Sequence, residues 1–271
     1  MSNSPYTFDA HSADVILRAP LQSGSDQFKD FHIHKIILSV ASTFFHDMFS
    51  LPQPATEDDT LPIITVTESA EVFEVFLRLI YPIEPPAITS LQLVDDLFRL
   101  AEKYMANGVH AKLRQTLVPS SSFLRDDPIW VYALACRANL DAEAELAVAL
   151  TFKIDPVRDI THTHLQMMSA GTYNRLLTAH ATRRAALISA VNRANPPPYP
   201  GECSCGLRFY SKLRKDISLI VWARPFLDKQ RLDLYLSNPV AVCELGLGCR
   251  VSKQAISRFL ADIIGEVEKI G

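Results

Sequence analysis

Between Ala13 and Phe49 the apolar pattern changes period once, and that change restricts the fold more than any other part of the chain. Residues from about 13 to 18, with Ala13-Asp14-Val15-Ile16-Leu17 at their head, and from about 27 to 34, ending Phe31-His32-Ile33-His34, carry strand character. Pro20-Leu21-Gln22-Ser23-Gly24-Ser25-Asp26 between them is a cluster of turn formers. From Lys35 the period lengthens, and Ile36, Ile37, Val40 and Ala41 fall on one helical face. Ser42 is placed to cap a second short helix through Phe44, Phe45, Met48 and Phe49. The order is strand, hairpin partner, helix, helix.

The elements that follow are read the same way. Leu51-Pro52-Gln53-Pro54 and the acidic Glu57-Asp58-Asp59 form a polar loop, and Pro62-Ile63-Ile64-Thr65-Val66 is a short β-branched strand. Glu68 or Ser69 opens a helix with Val72, Phe73, Phe76, Leu77 and Ile80 on one stripe, which Tyr81-Pro82 stops. Ser90 opens another, carrying Leu93, Val94, Leu97, Phe98, Ala101, Tyr104 and Met105, with Asn107-Gly108 as its expected C-terminal stop. Val109 to Leu117 is a further helical segment.

Beyond residue 118 the strand signals mostly vanish. Asp126 or Asp127 caps and Pro128 starts a helix with Trp130, Tyr132 and Cys136; Asn139-Leu140-Asp141 breaks it, and Asp141 can cap its partner, Ala142 to Phe152. Thr172 to Val191, Leu207 to Phe226 and Ser252 to Val267 supply longer helices. In the last, Ile256, Phe259, Leu260, Ile263, Ile264 and Val267 keep the helical period almost without a fault. Asn195-Pro196-Pro197-Pro198-Tyr199-Pro200-Gly201 reads as a stiff connection.

Asp14, Phe31, His34, Lys35, Leu38, Ser42, Phe44, Phe45, Met48 and Phe49, then Phe76-Leu77 and Tyr81, then Ala101, Lys103 and Tyr104, resemble the BTB (POZ) domain in type, order and spacing. The segment Val131 to Leu140, with Glu143, Glu145 and Ala147, resembles the helical extension after that domain in fungal proteins of a basidiomycete-like type. The resemblance implies an α+β fold with a small mixed sheet and helical hairpins, then an all-α C-terminal region. The expected division is 12–118 for the BTB-like domain, 119–194 for the helical extension and 195–271 for the C-terminal helices. It also implies a non-enzymatic interaction protein that pairs with itself, recruits another protein, or does both.

The partner surface is expected at Phe8, Val15, Phe44, Phe45, Met48 and Phe49, some of which serve equally well as core. Asp14 and His34-Lys35 are expected to tie strand start to helix start and to line the dimer groove. Some family members are substrate adaptors of cullin-based ubiquitin ligases. Their contact has an apolar residue two positions before a glutamate; here Leu51 is followed by Gln53 between prolines, a departure from that pattern.

Composition narrows the other classes. With 48% apolar and 21% charged residues and a net charge of −3, the chain has no global cation excess for phosphates. A DNA-associated regulator, the alternative from another class, would depend on the local cluster Arg208, Lys212, Arg214 and Lys215 around Phe209 and Tyr210. No signal peptide is seen and no run approaches the ~18 apolar residues of a membrane span, so the expected compartment is the cytosol, the nucleus or both. No nucleophile elbow, phosphate loop or zinc-protease helix is present, and no small-molecule substrate is expected.

Cys203, Cys205, Cys243 and Cys249 sit in Gly-bearing stretches, and four thiolates would complete a closed tetrahedral zinc site. One and five intervening residues depart from the usual two to four, so unliganded thiols are the favoured reading and structural zinc the alternative; no other cofactor is expected. Cys136 belongs on an apolar helix, and His162, His164 and His180 read as solvated or capping residues.

Overall fold

Alternation in the first strand puts Val15, Leu17 and Ala19 on one side of the chain, and all three are fully buried. A computed structural model describes residues 7–9, 12–22, 25–51, 61–118, 120–196, 205–227 and 253–270. Strand β1 (Val15–Pro20) pairs antiparallel with β2 (Phe28–Ile33), in a register that sets Val15 opposite Ile33 and Leu17 opposite Phe31. Strand β3 (Ile63–Thr65) joins the other edge of β1 in parallel, with Ile16 opposite Ile63, so the described sheet runs β2-β1-β3. A parallel neighbour needs a long crossover. Here β2 and helices α1 (Lys35–Ala41) and α2 (Thr43–Ser50) lie within it.

Two compact units divide after Glu143, inside the span 119–194 assigned to the helical extension. In the first, α3 (Ala70–Ile80), α4 (Leu91–Lys103) and α5 (Asn107–Arg114) bury the stripes expected of them, including Phe73, Phe76, Leu77, Val94, Leu97 and Phe98. Ser90 caps α4, its hydroxyl accepting from Leu93 N at 3.2 Å. A short α6 (Ser122–Asp126), capped by Ser121, precedes α7 (Pro128–Arg137), which opens on Pro128 with Asp127 as its cap; Asp126, the other cap candidate, ends α6 instead. Architecture is α+β followed by a helical region.

The expected stop at Asn107-Gly108 is corrected. Helix α4 ends at Lys103, Met105 takes the left-handed turn at φ 49°, and Ala106 N–H closes on Ala101 O at 2.8 Å. Asn107 and Gly108 instead begin α5. Asn139, by contrast, does break its helix as expected, at φ 54° with Leu140 N–H on Ala135 O.

The second unit is helical among its described residues. Helix α8 (Asp141–Thr151) leads into it, followed by α9 (His162–Met167), α10 (Ala170–Arg193), α11 (Cys205–Ala223) and α12 (Lys253–Glu268). Its core joins Leu187 and Val191 of α10, Tyr210, Leu213, Ile217 and Val221 of α11, and Ile256, Phe259, Leu260 and Ile263 of α12. Each set repeats at three and four, so each helix buries one stripe. Among the described residues no helix is long and apolar enough to cross a membrane.

Candidate interaction surface

Helix α1 starts without help from its own N-cap, because the His34 side chain makes no capping bond. Asp14, just ahead of β1, supplies the missing acceptor: its Oδ1 takes the Lys35 backbone N–H at 2.7 Å. His34 N–H donates to the Tyr81 hydroxyl oxygen at 3.0 Å, and the imidazole bridges that hydroxyl (Nδ1, 3.3 Å) and Ser12 Oγ (Nε2, 2.9 Å). Phe8 stands edge-on to Tyr81 and Phe31, at 5.2 and 5.8 Å between centroids. What this corner does chemically is to fasten the starts of β1 and α1 to the end of α3.

Ser42 joins the next corner to α4. Its hydroxyl accepts from Phe45 N–H and donates to the Tyr104 carbonyl oxygen. Around it the Phe45 ring stacks on Tyr104 at 4.9 Å and on Phe49 at 5.9 Å, with Phe44 edge-on to both Phe45 and Tyr104. The Tyr104 hydroxyl donates to Glu68 Oε2 at 2.6 Å, while Lys103 reaches Oε1 at 2.5 Å. Burial and the adjacent carboxylate hold the phenol well above its ordinary range. Burial raises the Glu68 carboxyl, but the bonds from Lys103 and Tyr104 outweigh it and leave it below the carboxylate range.

That anchoring leaves one face of α1 outside. Leu38 points inward and is fully buried, whereas Ile36 and Val40, one turn apart, are 69% and 82% exposed. Val40 and Met105 line an open cleft of about 280 Å³ together with Ala41, Leu79, Ile80 and Val109. Lys112 Nζ donates to Leu79 O at 2.6 Å beside it. Ile36 and Val40 leave aliphatic area facing water on this helix.

The residues expected at the partner surface divide. Val15 and Phe45 are in the core and Phe8 is nearly buried, so these three offer almost no surface. Phe44 is exposed, Met48 and Phe49 are half-buried, and Leu51 is exposed at the end of α2; Gln53 lies outside the described residues. Lys35 lies 5.9 Å from the Phe49 ring centre, a cation over an aromatic face. Ile36, Val40 and Met105 were not among the expected contacts. The sequence showed Ile36 and Val40 as part of one apolar helical face, but not that this face turns outward while Leu38 turns in.

Of the cysteines expected to meet, Cys203, Cys243 and Cys249 lie outside the described residues, and of Cys205 only the backbone, at the start of α11, is described. Among the described residues no group of three or more His, Cys, Asp or Glu side chains is placed to hold a metal. His164 completes a capping box with Thr161 at the start of α9, and His180 is buried. Within the basic cluster, Arg214 is structural: it donates to Ala194 O and lies over the Phe259 ring, while Arg208, Lys212 and Lys215 face water apart from it or on its flank.

Residues 13–121 match the family model of the BTB/POZ domain. The match runs from two residues before β1 to the residue that caps α6 and so takes in α1, Phe44, Leu51 and Met105, but not Phe8 or Ser12. No curated protein matches the chain.

Proposed function

From the premise that residues 13–121 are a BTB/POZ domain, a protein-interaction module, we propose that the chain pairs with a second copy of itself through the outer face of α1. The exposure of Ile36 and Val40 on that helix carries this reading. A two-fold arrangement sets the same patch against itself, so every apolar side chain in it is hidden twice per dimer. Fully burying one aliphatic side chain is worth about 1.5–3 kcal/mol. Ile36 and Val40 from both copies therefore supply much of the driving force, with Phe44 and Met105 widening the contact toward the ~1,000 Å² or more a stable interface needs. Recruitment of a further protein would use whatever the pairing leaves exposed, Leu51 among it.

Sedimentation or light scattering across a concentration series tests the proposal. The wild-type chain is expected to pass from monomer to dimer, and Val40→Asp to remain monomeric with unchanged circular dichroism, since a charge buried at a dry seam has no partner. A wild-type chain that stays monomeric throughout, or a Val40→Asp variant that pairs as well as wild type, overturns it.

A further inference from the structure

A different surface, on the second unit, carries an inference independent of the pairing face. Helix α11 turns Tyr210, Leu213, Ile217 and Val221 into the core. Diametrically opposite, at spacings of four and three, it presents Arg208, Lys212, Lys215, Leu219 and Trp222, all exposed. An outward helix face is ordinarily polar throughout. This one is cationic along its first half and apolar along its last turns, where Leu219 is 60% and Trp222 62% exposed.

Among the described residues Arg208, Lys212 and Lys215 have no carboxylate within ion-pair reach. Arg184 of α10 adds a fourth cation: its guanidinium lies 4.9 Å from the Trp222 ring centre, and its Nε is buried without a hydrogen-bond partner. A planar guanidinium held over an indole still offers outer N–H groups in the fork that takes a carboxylate by two bonds.

We infer that this face docks an acidic segment of a partner protein whose carboxylates lie along Arg208, Lys212, Lys215 and Arg184 and whose apolar side chain packs on Leu219 and Trp222. Charge complementarity selects the acid, and the aliphatic-indole end selects the apolar residue. A nucleic acid would use the cations and the indole but has no need of an exposed leucine. The stripe is about 21 Å long, four turns of a docked helix or roughly six residues of an extended strand.

A fluorescein-labelled peptide of about 14 residues, made of glutamate with leucine at one end, tests this by anisotropy against the full chain. Binding is expected to weaken as salt rises. It is also expected to fall about tenfold or more, a change of roughly 1.4 kcal/mol, in Lys212→Glu and in Trp222→Ala. Both positions are exposed, so circular dichroism should be unchanged. A lysine-for-glutamate peptide should not bind. Equal binding by wild type and both variants overturns the proposal. So does a single-stranded oligonucleotide of similar length that binds tighter than the peptide and displaces it, which would assign the face to nucleic acid.

Discussion

Met105 holds a left-handed backbone (φ 49°) that non-glycine residues adopt at a cost of about 1–3 kcal/mol, yet it ends α4 where glycine is the usual choice. Its side chain is 56% exposed, so it contributes little to the core. Met105→Gly relieves the strain and gives back roughly 0.5–1 kcal/mol of chain entropy to the unfolded state. The net expectation is a stabilisation of the first unit by up to about 1 kcal/mol, read as a higher urea midpoint at constant slope. A lowered midpoint would show that the side chain contributes packing beyond what its exposure suggests. The neighbouring Asn107-Gly108 looked like the stop because glycine is the residue type that suits it, and the left-handed position fell two residues earlier. Residue type alone does not distinguish a turn that needs glycine from a helix start that tolerates it.

At the scale of elements, α7 is held to α4 by a buried charge. Asp95 is fully buried; Arg137 of α7 engages its Oδ1, and Arg99, one turn along α4, reaches Oδ2 at 3.1 Å. Removing one partner of a buried pair costs more than the pair is worth, since the other charge is left desolvated. Arg137→Ala therefore leaves Asp95 with only the half-exposed Arg99, and should cost about 2–4 kcal/mol in urea denaturation. Replacing both, Asp95→Leu with Arg137→Met, should recover most of that loss. A double variant as unstable as the single one would mean the ion pair itself, rather than the stranded carboxylate, carries the energy. This tie was not legible in the sequence. Asp95 interrupts an otherwise apolar run beside Val94, and a polar residue there reads as solvated until α7 is seen to cover it.

Where one stripe meets one core, periodicity was enough: α3, α4 and α12 bury most of the residues it singled out, Met105 being the exception. Helix α1 shows the limit of the method. With Ile36, Ile37, Leu38, Val40 and Ala41 it is apolar nearly all round, so the pattern identifies a helix without saying which side faces in. The hairpin was legible because alternation and a turn cluster agree, and the Asp14 cap was foreseen only as a tie between strand and helix.

Across the molecule the two units should answer acid differently. In the first, burial raises Glu68 and Glu74, but their bonds to Lys103 and Tyr104, and to Lys29 and Arg78, outweigh it and hold both below the ordinary 4.5. A carboxyl lowered on folding stabilises above its unfolded pKa and loses that contribution as pH falls through the folded value, so what Glu68 and Glu74 contribute is lost below about 4.5. In the second unit the group that matters is His180, on α10. Burial lowers its pKa from 6.5 to about 4, assisted by the Arg184 charge and partly opposed by Asp155. Its hydrogen bonding points the same way: Thr151 gives its hydroxyl proton to Val148 O at 2.6 Å, so Thr151 Oγ1 accepts from His180 Nε2 at 3.0 Å. That leaves Nδ1 bare and buried without a partner beside the Phe152 ring, a site where a second proton has no acceptor. A histidine whose folded pKa is lowered gives the unfolded state more protons between the two values, and stability then rises with pH across that interval. The second unit should therefore lose up to ~3 kcal/mol as pH falls from about 6.5 to about 4, before Glu68 and Glu74 lose their contribution. The solvated Glu266, paired with Lys269 and Arg193, adds little in that interval. Hydrogen exchange resolved over residues 144–271, with His180→Gln as reference, isolates the effect: the difference in protection between variant and wild type should change steadily across that interval and level off on either side. Parallel curves would mean that His180 is protonated as readily in the folded chain as in the unfolded one, and that its burial carries no penalty.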